Sequence, residues 1–210
     1  MKSSATVSAV LLASASIAAA MPSPLEHAPR CSKTYYPSFM QPLVEDTPDK
    51  VYEDTVSSTG VFHVSQTQDA GKTANRIYQL VGFRDIAPGS YGCQLELSFP
   101  SNYDIISSIG EDTSATPPMN VTAVLRNASE AIAYPNKYSF SSYPEALQPG
   151  KVLDGSLVAK VGTTEVIQAD SCDTDLAFVF TIASSVGTSA SVDFVDSLFP
   201  SIGITLTAKC

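Results

Sequence analysis

The sequence predicts an all-β fold: a disulfide-bonded antiparallel β-sandwich, jelly-roll-like, with few or no helices. Three observations carry that prediction. In Gly89–Pro100 (GSYGCQLELSFP), Tyr91, Cys93, Leu95, Leu97 and Phe99 share one parity and Gly92, Gln94, Glu96 and Ser98 the other. That period of two is what a strand with one buried and one wetted face requires. The closing residues repeat it, with Ile202, Ile204, Leu206, Ala208 and Cys210 opposite Gly203, Thr205, Thr207 and Lys209, and a third copy runs from Cys172 through Leu176, Phe178, Phe180 and Ile182. Lastly, charged residues are sparse at 16% while Ser, Thr, Gly and Pro are plentiful, a balance suited to short strands joined by many turns. In the first two strands the cysteine is in phase with the apolar side chains, so its sulfur is expected to point into the core.

Taken in order, Met1–Ala20 reads as a secretory signal peptide. Lys2 is the positive n-region, Val7–Ile17 the apolar h-region, and Ala18-Ala19-Ala20 the small residues a signal peptidase accepts. The apolar run falls short of the roughly 20 residues needed to cross a bilayer. Residues 21–33 are expected to be a flexible leader, since Met21–Arg30 carries three prolines and little apolar content. Residues 34–210 then form a single β-sandwich domain, its 210-residue chain being 44% apolar and long enough for one sizeable core. Residues 31–54 are Pro- and Tyr-rich and extended, docking through Phe39, Met40, Leu43 and Val44. Strands are expected at Val61–Gln66, Arg76–Phe83, Tyr91–Phe99, Met119–Arg126, Tyr138–Ser141, Val152–Val161, Val166–Ala169, Leu176–Ile182, Val192–Val195 and Ile202–Ala208. Leu43–Tyr52 and Pro144–Gln148 can each hold a helical turn; nothing long is amphipathic at 3.6.

Four cysteines, Cys31, Cys93, Cys172 and Cys210, behind a signal peptide imply two disulfides with three possible connectivities. A strand start meeting the end of an antiparallel neighbour favours Cys93–Cys210, which leaves Cys31 for Cys172. The spacings match no zinc pattern, and neither a metal nor a cofactor is expected. Asn120-Val121-Thr122 and Asn127-Ala128-Ser129 are acceptor sequons for N-glycosylation. Asn120 has the parity opposite to Val121, Ala123 and Leu125, which places it toward solvent if those three face the core.

A net charge of −9 argues against nucleic acid, whose phosphates it cannot neutralise, and against an anionic membrane surface. Catalytic chemistry has few carriers. The histidines are His27, in the leader, and His63, inside VFHVSQ, so any Ser-His-Asp or Cys-His machinery depends on His63. A lone histidine on a strand reads first as structural. The nearest string to a nucleophile elbow, Gly187–Ser191, lacks its final glycine. A copper monooxygenase needs histidine as its mature N-terminal residue, and the expected cut leaves Met21. Paired carboxylates can hydrolyse glycosides, but 21 acids single out no pair. Asp170, Asp173 and Asp175 form the densest acid cluster; without the glycine and terminal Glu of an EF-hand loop it reads as a solvated turn. Tyr134, Tyr138 and Tyr143 crowd one segment, offering either a binding surface or the rim of a strand and its turns.

The order of these features resembles the But-two C-terminal domain family (the ubiquitin-three-binding-protein C-terminal domain) of fungal secreted proteins. The carriers are a YPSFMQPLVEDTP arm, VFHVSQ, IYQLVGF, Cys-x-Leu-x-Leu-x-Phe-Pro at Cys93–Pro100, Cys172 before LAFVFTI, and Gly-x-x-Leu-x-x-x-Cys at Gly203–Cys210. The resemblance spans roughly residues 35–210. This chain has Asp173-Thr174-Asp175 where the family has a glycine-containing turn. The resemblance implies a disulfide-bonded β-sandwich and supplies no catalytic residues. The interaction with a ubiquitin-like protein that the family name records is not carried over, because a signal peptide would separate the two.

These readings converge on a secreted, non-enzymatic β-sandwich protein acting at the cell wall or in the medium, with cell-wall polysaccharide or an extracellular protein as partner. Two alternatives come from other classes: a carbohydrate-active hydrolase using paired carboxylates, and a host-interacting effector recognising through Tyr134–Tyr143.

Overall fold

The structure, a computed structural model, describes residues 32–124, 137–146, 149–169 and 171–210. The expected signal peptide, Cys31, Asn127 and Tyr134 lie outside the described residues. In chain order the elements are β1 (Ser32–Tyr35), β2 (Phe39–Val44), β3 (Val61–Asp69), β4 (Lys72–Phe83), β5 (Tyr91–Ser98), β6 (Ile106–Ile109), β7 (Met119–Val124), a single turn α1 (Tyr143–Ala146), β8 (Pro149–Leu157), β9 (Thr164–Gln168), β10 (Leu176–Ile182), β11 (Ala190–Val195) and β12 (Gly203–Lys209). The fold is the all-β, antiparallel sandwich the alternation predicts. One sheet has the order β1-β12-β5-β9; the larger runs β6-β11-β3-β4-β10-β7-β8, with β2 added to β4.

Period-two patterning explains the core directly. Leu95, Leu97, Ile204, Leu206 and Ile167 from the small sheet meet Phe62, Val64, Val81, Phe178, Phe180, Val192 and Phe194 from the large one, all buried. Phe62 and Phe194 are cross-strand partners whose rings stack at 4.4 Å and 12°. Phe180 adds an edge to Phe62 at 5.3 Å, and Phe99 an edge to Phe194 at 4.9 Å. Such aromatic pairs are each worth about 0.5–1.5 kcal/mol beyond the area they bury.

The large sheet also carries apolar cover on part of its outer face. Phe39, Leu43, Leu80, Tyr138, Tyr143, Ala177 and Val179 form a second buried cluster there, so β10 is buried on both faces rather than on the one its phenylalanines mark out. Gly82 permits this: Phe39 lies over it so closely that a Cβ would sit 1.9 Å from the ring. β4 serves three partners. Its Lys72–Ile77 stretch pairs β3 and its Gln79–Phe83 stretch pairs β10, while β2 lies along Ile77–Gly82 on the opposite edge, Ile77 being paired to Ser65 and Val44 at once. Where β3 leaves β4, the fully buried Gln79 amide donates to the His63 carbonyl at 3.3 Å and accepts from the Gln41 N–H at 3.1 Å. It thereby satisfies its own buried amide on backbone groups of two strands.

Several expectations are corrected. Tyr138–Ser141 is not a strand but the approach to α1. The extended arm pairs as β2, and β1 begins at Ser32, inside the stretch expected to be leader, where Ser32 faces Lys209 and Lys33 faces Ala208. β6 is an additional strand. The favoured cysteine pairing is also corrected: Cys93 bonds Cys172, with 5.3 Å between Cα atoms. The start of β5 does meet the end of β12, but the register shifts between Thr207 and Lys209. That bulge carries Cys210 out of phase onto the exposed surface, while Ala208 takes the buried place. On its other edge β5 pairs β9, and Ala169 N donates to Cys93 O at 3.0 Å, so the chain delivers Cys172 to Cys93 three residues later. Cys210 is disulfide-bonded as well.

The β11–β12 connection is built on Asp196. Its N–H donates to Gly60 O at 2.8 Å, and its Oδ1 accepts from Ile204 N at 2.7 Å. Gly203, at φ +96°, lies under that carboxylate; a Cβ there would stand 2.3 Å from Oδ1. Burial raises the Asp196 pKa to about 7, against the Ile204 hydrogen bond, which lowers it.

Two predictions follow from this packing. Cys172→Ala removes a cross-link spanning 79 residues and should cost about 2–5 kcal/mol in urea unfolding, and a non-reducing peptide map of the parent protein should recover Cys93 joined to Cys172. A raised carboxyl pKa means the native state holds a proton that the unfolded chain releases near pH 4. Stability from protonated Asp196 is therefore complete below about pH 4 and lost as pH rises through about 7. The melting temperature should climb between pH 7 and pH 5, and Asp196→Asn should flatten that climb.

Candidate functional site

Inward pairing of Phe62 with Phe194 and Val64 with Val192 forces the intervening residues outward. His63 thus stands directly across from Asp193 on the solvent face, and Ser65 across from Ser191. His63 Nδ1 meets Asp193 Oδ1 in a short hydrogen bond, and His63 Nε2 lies 3.0 Å from Ser65 Oγ. The side chains of His63 and Asp193 are 31% and 30% exposed. An ionised Asp193 selects the tautomer with the proton on Nδ1, leaving the Nε2 lone pair to accept from the Ser65 hydroxyl. Ser191 continues the row toward Ser108, with 3.2 Å between hydroxyls.

At the edge of this face β6 pairs β11 only as far as Ile106 opposite Asp193. Beyond that point a side chain replaces the strand: the Tyr103 hydroxyl accepts from Val195 N at 2.8 Å and donates to Val195 O at 3.0 Å. The space between is a shallow cleft of about 240 Å³ whose lining includes Val61, Ile106, Val195, Asp104 and Asp193. Ile106 is 69% exposed. Tyr103 and Asp104 also form one wall of a second open cleft of about 470 Å³, whose other walls include Ser107, Thr113, Ser114 and Lys160. Ser107 and Thr116 share a hydrogen bond at 2.9 Å. Asp112, accepting from the Ser114 hydroxyl and N–H, is held below the usual carboxylate range by those bonds.

The residues singled out from the sequence are placed elsewhere. Tyr138 and Tyr143 are 7% and 9% exposed in the second buried cluster, so the recognition face expected from them is corrected to packing. They cap the outer side of β4 and β10; Gln41 Nε2 donates to Tyr138 O at 2.6 Å, and burial pushes the Tyr143 hydroxyl up to about 12. Asn120 is half-buried on β7 opposite Thr181 and lines an outer-face cleft of about 250 Å³ together with Arg76 and Tyr78; Val121 behind it is buried. Of the acid cluster, Asp173 is exposed and Asp175 half-buried, and Asp170 lies outside the described residues. Among the described residues no three His, Cys, Asp or Glu side chains are grouped to hold a metal ion, and no helix is long and apolar enough to cross a membrane.

Sequence reading isolated His63 but missed its partners. Asp193 is 130 residues away, and only the β3–β11 pairing unites them. The available signal was shared parity: His63 and Ser65 in VFHVSQ, and Ser191 and Asp193 in ASVDFV, are the polar positions of two alternating strands.

The pair lies on a wetted face, where an ion pair contributes about 0–1 kcal/mol. Asp193→Asn should therefore shift the urea unfolding free energy by less than about 1 kcal/mol.

No family model matches this chain, and no curated protein matches it.

Proposed function

We propose that the protein is an extracellular binding module that takes a polyhydroxylated ligand, of the cell-wall polysaccharide kind, in the cleft walled by Tyr103 and Asp104. The observation that carries the reading is the make-up of that cleft. At about 470 Å³ it falls in the size range of small-ligand sites. Its walls combine the hydroxyls of Ser107, Thr113 and Ser114 with the charges of Asp104 and Lys160 and the aliphatic side chains of Val158 and Val161. Sugars need that mixture, since their hydroxyls exchange hydrogen bonds and their C–H faces take apolar contact. Secretion is supported by the signal-like Met1–Ala20 and by disulfides, which persist in oxidising compartments. The resemblance to fungal secreted proteins favours a wall ligand, and a glycan on Asn120 would leave this cleft open, because Asn120 lines a different one.

The test is retention on insoluble chitin, β-glucan and wall fragments, with supernatants assayed for sugar. Wild-type protein should be retained without sugar release, and Asp104→Ala combined with Lys160→Ala should weaken retention at least about fivefold, equivalent to roughly 1 kcal/mol, with an unchanged melting temperature. Undiminished retention of the double variant would remove the cleft from the proposal; absence of retention on every polysaccharide would replace it with a protein ligand.

A further inference from the structure

We infer that Ser65, His63 and Asp193 form an acyl-transfer site that hydrolyses short aliphatic esters. The inference goes beyond ligand binding and does not depend on it. Its basis is the connectivity of the three side chains. The carboxylate of Asp193 meets Nδ1, and the hydroxyl of Ser65 lies at 3.0 Å from Nε2, the order in which an imidazole takes a proton from a serine while a carboxylate holds it in the required tautomer. Two further features bear on the chemistry. Ser191 stands across from Ser65 in the same outward row and offers a hydroxyl donor beside the atom under attack. The cleft lined by Val61, Ile106 and Val195 opens at Asp193. Its near wall, Asp193 with Ile106 across from it, is one cross-strand row from Ser65, about 7 Å along the strand, and Val61 and Val195 lie one row further.

In the first half-reaction Ser65 Oγ bonds to the ester carbonyl carbon and its proton passes to His63 Nε2. The carbon–oxygen bond to the alcohol then breaks, and the leaving oxygen takes that proton from Nε2. In the second, a water gives its proton to Nε2 and its oxygen to the acyl carbon. The bond to Ser65 breaks, the proton returns to Oγ, and a carboxylic acid departs. Ser65 and His63 are the catalytic residues. Asp193 is a positioning residue that acts through His63. A single hydroxyl donor in place of paired backbone N–H groups predicts slow turnover, because each such donor is worth about 10²–10³ in rate.

The purified full-length protein is exposed to a fluorophosphonate-biotin probe and, separately, to p-nitrophenyl butyrate, with the labelled site read by peptide mass spectrometry. The expected result is labelling at Ser65 and ester hydrolysis above the buffer rate. Ser65→Ala and His63→Gln should abolish both. Asp193→Asn should slow labelling at least about tenfold and shift the pH profile, with Asp193→Glu partly restoring it. Ser98→Ala, on the smaller sheet where its hydroxyl meets Thr164 at 2.8 Å, should label as wild type. Wild-type protein that melts cooperatively yet stays unlabelled at pH 8 overturns the inference, as does label on any other residue or hydrolysis that survives Ser65→Ala. Retention on polysaccharide with no labelling separates this failure from a failure of the binding module.

Discussion

The stack of Phe62 on Phe194 sets what lies on the other side of β3 and β11. Side chains alternate along a strand, so a pair fixed inward commits its neighbours outward, and a slip of one residue would exchange the two sets. Two phenylalanines in contact with Phe180 and Phe99 make that slip costly, because it would bring polar groups into an aromatic cluster and expose the rings. The opposition of His63 and Asp193 is thus a by-product of core packing. Gln79 reinforces it from the side by binding the His63 carbonyl, so both the register and the backbone under His63 are held by buried groups.

How the large sheet divides its outer face decides where ligands can reach it. Over β4 and β10 the face is closed by β2 and by the segment carrying Tyr138 and Tyr143. Over β3, β11 and β6 it is left to polar side chains and to the clefts around Tyr103. The cover has its own ties: Asp54 accepts from Met40 N at 2.8 Å, and Glu45 binds Arg76 at 2.5 Å, with the guanidinium over the Phe140 ring at 5.3 Å. Folding therefore covers one half of the face and leaves polar side chains such as His63 and Asp193 partly exposed on the other.

What was legible in the sequence was local. The alternation in GSYGCQLELSFP and VFHVSQ named strands, faces and the buried Cys93, because period two is a property of neighbouring residues. What escaped depended on partners far along the chain. The Cys93–Cys172 bond follows from which strand flanks β5 on each edge and from a bulge near Thr207. The burial of Tyr138 and Tyr143 follows from a second apolar face on β10 that an unbroken LAFVFTI run does not separate from the first. β2 was hidden by Pro42, a residue that gives no ladder N–H and that a strand on the margin of β4 tolerates. The candidate triad combines both cases, since its histidine and serine were readable within one strand and its carboxylate was not.

Tyr103 spanning both backbone groups of Val195 has a consequence for solubility. A strand that runs past its short neighbour presents a free N–H and C=O beside exposed aliphatic side chains, the template on which a foreign strand adds. With one hydroxyl occupying both groups, the exposed Val195 offers no free backbone pair to an incoming strand. Copies of the chain that crowd together at this point meet a phenol in place of a backbone template.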